Sequence, residues 1–426
     1  MPLKESVRPE EAEKETVFKG CGPRLNLNGG IAAKSLRQQI FERIRASGHI
    51  SRIDIAKQLG VSPGSVTQAA SGLLGAGLLQ EVETPHDGAV RGRPPVALSI
   101  APGARYVVGM KMGDFTHSAV IIDLAGSQVA EIDMRGRAQK RSAKELLSEA
   151  DALLEAILSK AKLSRDQISA VGMGVAGMVD HQAGVVPWSP ILLDRNIQLR
   201  DLMTEHLGVS VHIDNDANML TLAELWFGAG RNKSSFAVVT IEYGVGMGLV
   251  FDNQLYRGSQ GLGLELGHTK VQLDGALCRC GNRGCLEAYV ADYALVREAR
   301  IALNMNPETA SRVEPLLDNL YEHAKSGNEN ARMIFRRAGR YLAAGLSNVV
   351  HLFDPGLIIL SGERMRYEYL YSEEVMQEME ALNLDKGRAP TQVDIHVWGG
   401  YVWARGGAAL ALQALTDETF LNWDEA

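Results

Sequence analysis

The chain has 426 residues, 46% of them hydrophobic and 22% charged, with a formal net charge of −7. That balance excludes a disordered or fibrous chain, no run approaches the roughly 18 apolar residues of a membrane span, and the charged N-terminus lacks the apolar segment of a secretion signal. The reading is a cytoplasmic globular protein of two or three domains whose acidity excludes a surface coated throughout for nucleic acid.

Residues 1–30 read as a polar tail without assigned function, and Cys21 within it as an incidental residue. From 31 to 100 the balance reverses, with eight Lys/Arg against five Asp/Glu. Leu36, Ile40 and Ile44 recur at helical spacing and stop before Gly48. A second helix starts at Ser51, with Asp54 as an acidic variant of the capping box, and ends at Gly60. Ser62 as N-cap and Pro63 at the first helical position open a third helix, to about Leu74. Two helices joined by Gly60-Val61-Ser62 make a helix-turn-helix, in which Ser62, Ser65, Thr67 and Gln68 are the candidate base-edge contacts. Residues 78–82 and 96–100 read as strands flanking Arg91-Gly92-Arg93-Pro94-Pro95. That tip is a slim cationic wing, with Arg91 and Arg93 suited to a narrow minor groove, so residues 31–100 are read as a winged helix-turn-helix for double-stranded DNA.

From Arg105 onward apolar strands alternate with amphipathic helices, the pattern of an α/β domain. Strands are expected at 106–110, 118–122, 170–175, 236–241 and 357–360, with a helical stripe from Ala143 to Ala161. The second set of such units implies a duplicated, two-lobed architecture around a cleft. Asp214-Asn215-Asp216-Ala217-Asn218 lies at a strand-to-helix turn, where Asp can accept a proton and Asn can both donate and accept, although helix capping is the competing role. Gly244-Val245-Gly246-Met247-Gly248 admits either a phosphate cradle or plain packing.

His268, Cys278, Cys280 and Cys285 fall within eighteen positions and include three of the four cysteines. One imidazole and three thiolates fill a tetrahedral Zn²⁺ shell with no place for a catalytic water, so the site is read as structural. A disulfide reading would leave one thiol unpaired, and Cys278 and Cys280 are too close in sequence to bridge readily.

Taken together these residues resemble the ROK family of repressors, open reading frames and sugar kinases, from about residue 31 onward. The specific pieces are Glu265-Leu266-Gly267-His268 and the run from Cys278 to Glu287. The resemblance implies an actin-like, sugar-kinase-like domain of two lobes, 101–225 and 226–404, the first completed by a C-terminal helix at 405–422. It further implies that Asn215, Asp216, Glu265, His268 and Glu287 surround a sugar while the zinc knuckle holds that wall of the pocket. Kinases of the family begin this domain with Asp-x-Gly-Gly-Thr, but Lys111 stands here for the Asp and Phe115 for the Thr. Glu242-Tyr243 precedes Gly244, where a carboxylate would repel a triphosphate, and the family's sugar-contacting Pro-Asn is Pro190-Ile191. The expectation is a sugar-responsive repressor without catalytic residues, a homodimer or homotetramer released from operator DNA by a sugar or sugar phosphate. An ATP-dependent sugar kinase bearing a DNA-binding domain is the first alternative, and a regulator answering to a protein partner the second.

Overall fold

The computed structural model describes residues 20–24, 34–83, 96–137, 139–303, 313–362, 365, 372–384, 387 and 389–423. Near the N-terminus, helices α1 (Leu36–Ser47), α2 (Arg52–Leu59) and α3 (Pro63–Gly75) begin at Ser35, Ser51 and Ser62, whose side chains accept an N–H of the first turn that has no partner within the helix. Gly60 closes α2 with φ 66°, a left-handed conformation that favours glycine. Strands β1 (His49–Ser51), β2 (Leu79–Glu83) and β3 (Val96–Ile100) form an antiparallel sheet in the order β1-β3-β2. β1 was not among the expected elements; three residues are too few to show a period. The expected wing tip, with Arg91 and Arg93, lies outside the described residues.

Two α/β lobes follow. The first contains β4 (Tyr106–Met112), β5 (Thr116–Asp123), β6 (Gln128–Arg135), α4 (Ala143–Ala161), β7 (Ile168–Val175), the hairpin β8 (Met178–Asp180) and β9 (Val185–Trp188), α5 (Leu199–Leu207), β10 (Val211–Asn215) and α6 (Asp216–Phe227). Its sheet order is β10-β7-β4-β5-β6, with β10, β7 and β4 parallel and β4, β5 and β6 an antiparallel meander. The second contains β11 (Phe236–Ile241), β12 (Val245–Phe251), β13 (Gln254–Tyr256), α7 (Glu287–Val290), α8 (Asp292–Ala302), α9 (Val313–Lys325), α10 (Glu329–Phe353), β14 (Leu357–Ser361), α11 (Glu373–Leu382), β15 (Gln392–His396) and α12 (Val402–Leu421). Its order, β13-β12-β11-β14-β15, repeats that of the first: a meander, then two parallel strands. The stripe on α4 buries Leu146, Ala150, Leu153, Leu154 and Ile157 beneath the first sheet, as its spacing predicts.

The helices after the fifth strand of each lobe, α6 and α12, pack on each other, and each also packs on the other lobe's sheet. α6 reaches β12, where Gly246 and Gly248 lie against Ala217 and Thr221. α12 lies on β4 and β7, and a Cβ at Gly109 would overlap the Ala404 carbonyl oxygen. Glycine permits this backbone approach because it has no side chain to exclude it. The glycines of the 244–248 run therefore serve packing in β12, and the phosphate cradle considered for them is not needed to explain them.

Cys21 is not incidental. It is 1% exposed, its backbone N–H donates to Arg45 O (3.0 Å), and its thiol donates to Ala125 O (3.3 Å). Gly22 N–H donates to Trp226 O and Arg24 N–H to Arg231 O, so residues 20–24 lie between α1 and the end of α6. Burial pushes the Cys21 thiol up to about 11, which keeps it a neutral donor.

Candidate functional site

The chemistry-bearing residues of the first lobe sit at one end of its sheet. β10 runs parallel to β7 and β7 to β4, so Asp214, Gly174 and Lys111 share one row across three strands. Asn215 caps α6 by accepting from Asn218 N–H at 2.8 Å, and Asp216 begins the helix, its Oδ1 accepting from Ala217 N–H at 2.9 Å. Capping is thus one role of Asn215, as weighed from sequence, and its amide nitrogen is not needed for it. Asp214 is fully buried and committed elsewhere: it accepts from Asn218 Nδ2 (2.7 Å), Asn215 N–H (2.8 Å) and Arg257 Nε (2.7 Å). Arg257 has no motif and was not anticipated; its partner lies 43 residues away.

From the second lobe come Glu265, His268 and Glu287. Burial raises the Glu265 carboxyl, with Asp216 and Glu287 adding repulsion and His268 opposing, so these four groups share one electrostatic neighbourhood. Burial likewise raises Asp216, and the Lys111 ammonium pulls it back. Glu287 is 8% exposed; its Oε2 accepts weakly from Val245 N–H (3.4 Å) and its Oε1 from Tyr293 Oη (3.4 Å). Tyr293 was also missed, since nothing in its local sequence marks it.

His268, Cys278, Cys280 and Cys285 are brought together, one ligand atom of each lying within 4.8 Å of the others. All three thiols are free of disulfides, and Cys278 and Cys285 are buried. His268 Nδ1 faces Cys278 Sγ at 3.7 Å, and Cys280 Sγ lies 3.7 Å from Cys285 Sγ. The loop closes on itself, Cys278 N–H donating to Asn282 O, while Gly284 has φ 74° and no room for a Cβ beside Gln272 O. Burial pushes the Cys278 thiol up to about 12, so a thiolate at that position needs a cation beside it. Lys270 Nζ, 2.9 Å from Cys285 Sγ, supplies part of that charge. A soft divalent metal would supply the rest, and the donor set fits one. Cys278 Sγ also lies 3.6 Å from Glu287 Oε1, linking the cluster to the carboxylate neighbourhood.

At the same end of the sheet, the turn after β4 is closed by the chain's own groups. Gly113 N–H donates to His117 Nδ1 at 3.2 Å, which leaves the proton of that ring on Nε2, facing Glu149 at 3.1 Å. Burial lowers His117 further, keeping it neutral. Arg141, 1% exposed, donates to the carbonyls of Gly113 and Asp114 and pairs with Glu149 at 2.9 Å. Phe115 and Tyr243, from the turns after β4 and β11, approach with ring centroids 6.2 Å apart. Ile191 is buried in the first lobe's core, so the departure at Pro190-Ile191 serves packing.

The match to the ROK family model spans residues 107–414, most of the chain. The chain belongs to the ROK family. A xylose repressor of Caldicellulosiruptor bescii is 27% identical over 77% of this ROK chain and 83% of its own length. A glucokinase of Thermotoga maritima is 35% identical, but over 45% of this chain and 63% of its own. A solved structure described as a ROK family transcriptional regulator, a homologue of the Escherichia coli Mlc protein, superposes with TM-score 0.75 at 24% identity, covering 90% of this chain and 97% of that one, which speaks to the fold.

In this ROK protein the four residues expected to face DNA differ in their freedom. Ser62 and Ser65 bond each other at 2.8 Å, and Thr67 Oγ1 donates to Pro63 O. Gln68 is exposed and its amide has no hydrogen-bond partner among the described residues. No described helix is long and apolar enough to cross a membrane.

Proposed function

We propose that this protein is a sugar-responsive transcriptional repressor. Its α1–α3 unit with the β1-β3-β2 sheet acts as a winged helix-turn-helix on operator DNA, α3 entering the major groove with Gln68 foremost and Arg91 and Arg93 reaching the minor groove. A sugar binds between the lobes to Asn215, Asp216, Glu265, His268 and Glu287. Zn²⁺ held by His268, Cys278, Cys280 and Cys285 fixes the second-lobe wall; with Nδ1 turned to the thiols, Nε2 of His268 remains for a sugar oxygen.

The observation that carries this reading is that both interlobe helices run from the cleft to α1. α6 starts at Asp216 and ends at Trp226, whose ring lies 4.5 Å under the Arg45 guanidinium, and Arg231 just beyond donates to Ala46 O at 2.8 Å. α12 carries Trp403 at the cleft and, near its other end, Thr416 and Asp417, which accept from Arg45 Nη1 and Gln38 Nε2, both at 2.8 Å. Phe420 packs on Phe41 with centroids 5.3 Å apart. A helix is stiff over its length, about 30 Å for the 20 residues of α12. A shift of one lobe on the other is therefore delivered to α1, re-aiming the two DNA-binding units of a dimer. Linkage requires DNA to weaken sugar binding by the same factor.

The test is fluorescence anisotropy of DNA from around the gene, titrated with protein at fixed salt across a panel of sugars and sugar phosphates. Release by at least one compound is expected; every bound sugar leaving operator affinity unchanged would defeat the proposal. The glucokinase relative and the retained Asp216 favour a second reading, an ATP-dependent sugar kinase, which an ADP-release assay decides. Lys111 and the Gly113–His117 bond argue against it, because phosphoryl transfer depends on positioned phosphate-binding groups and a metal.

A further inference from the structure

Lys111 has no role in the proposal above beyond breaking the kinase motif, yet its placement is specific. It stands at the cleft end of β4, half-buried, in the same row as Gly174 and Asp214. Gly174, between the two charged residues, is covered by Met219 of α6, so the row presents charge only at Lys111 and Asp214. The ammonium lies over the Trp403 ring, 3.3 Å from its centroid, and among the described residues no carboxylate oxygen lies within ion-pair distance of it. A cation held on an aromatic face keeps its charge while forgoing part of its hydration, a combination that favours an incoming anion. The acids of the site are disposed differently: Asp214 is neutralised by Arg257, while Glu265 and Glu287 come from the second lobe. Lys111 is also close enough to Asp216 to draw its carboxyl down against burial.

The occupant has a size limit. Phe115 and Tyr243 meet across the turns that would face a nucleotide's phosphates, and Gly113 N–H is bonded to His117. An anion reaching Lys111 must then be carried by the sugar itself.

We infer that Lys111, seated on Trp403, selects a sugar effector bearing an anionic group, either a phosphate or a carboxylate, whose neutral hydroxyls meet Asn215, Asp216, Glu265 and Glu287. This inference rests on the proposed sugar site and extends it to a ligand class.

Titration calorimetry on the full-length protein at low salt, with hexoses, pentoses and amino sugars each paired with its phosphate and its uronic or aldonic acid, tests it; inorganic phosphate alone is the control. Acidic members are expected to bind about tenfold or more tighter than their neutral parents, the worth of a hydrogen-bonded charge pair. That preference should fall to within about threefold in Lys111→Met, which keeps the aliphatic stem on Trp403, and return in Lys111→Arg. Thermal melts identify any variant that has not folded. Phosphates and carboxylates preferred alike would mean that charge is read; one preferred over the other would name the group. Neutral parents binding as tightly as their acids, an undiminished preference in Lys111→Met, or inorganic phosphate alone matching the acidic sugars would overturn the inference while leaving the sugar site standing. Binding by no sugar of either kind, or undiminished binding in Glu265→Gln, would instead overturn the sugar site and this inference with it.

Discussion

Two neighbouring groups of the site have diverged within one fold. In the group formed by Asn215, Asp216, Glu265, His268 and Glu287, carboxylates crowd together: burial raises Asp216 and Glu265, and repulsion from Asp216 and Glu287 adds to the rise of Glu265. In the turns after β4 and β11, every group named above already has a partner within the protein: Gly113 with His117, Arg141 with Glu149, Phe115 with Tyr243. Carboxylates raised by burial carry a standing cost that a ligand's hydroxyl donors can reduce, whereas groups already paired with one another offer a ligand little. On the proposed repressor reading, the contrast teaches how a family site would be retired: by completing its hydrogen bonds from within, without changing the strand order around it.

The largest way to break the comparison is to remove the metal expected at the knuckle. Chelation, or Cys285→Ser, should lower the melting temperature by roughly 10 °C or more and abolish any sugar response, since structural zinc contributes directly to folding. Calorimetric melts with and without chelator check this. Next, Glu265→Gln should weaken sugar binding about a hundredfold while raising the melting temperature of the ligand-free protein by a degree or two. The sign follows from the raised carboxyl: its ionised form costs stability at pH above that raised value, and the cost disappears as pH falls through it or the charge is removed. A lower melting temperature in the variant would count against the crowded-acceptor account.

A smaller effect concerns the lobe junction. His396 at the end of β15 bonds Glu224 of α6 at 3.0 Å, and Trp398 Nε1 donates to the same carboxylate at 2.6 Å. Burial would lower His396, but Glu224 outweighs it and the net shift is upward. Stability from this pair is therefore fully present below the ordinary histidine value of about 6.5 and fades as pH rises through the raised one. The melting temperature should decline by a degree or two between about pH 6 and pH 8.5, and the decline should flatten in His396→Gln. The smallest effect is expected in the satisfied turns: the double variant Lys111→Asp with Phe115→Thr should leave ADP release at background, because His117 and Arg141 still hold the turn. Turnover by that variant would show that the motif residues alone had silenced the site.

Much of this was legible in the sequence, for local reasons. α4 and β11 were placed to the residue because their apolar periods are long and uninterrupted, and the starts of α2 and α3 followed from Ser51, Ser62 and Pro63. The clustering of His268, Cys278, Cys280 and Cys285 was legible because the four residues are close in sequence. What escaped is long-range or weakly patterned: β6 was missed because its exposure does not alternate cleanly. Arg257, Tyr293 and His117 were missed because their roles depend on partners that no spacing rule points to. Cys21 was misjudged for the same reason, since its acceptor Ala125 lies 104 residues away.

The grip of α12 on α1 also bears on the order of events during synthesis. Arg45 and Thr416 are 371 residues apart, and at translation speeds of about 5–20 residues per second that gap lasts on the order of tens of seconds. The N-terminal helices are built from local contacts and can form as soon as they leave the ribosome. Contacts from α6 hold α1 earlier, and the set that orients it is completed only when the last long helix arrives. On the proposed function, a nascent or truncated chain would carry its DNA-facing unit not yet fully coupled to the lobes, and α12 is the segment that would complete that coupling.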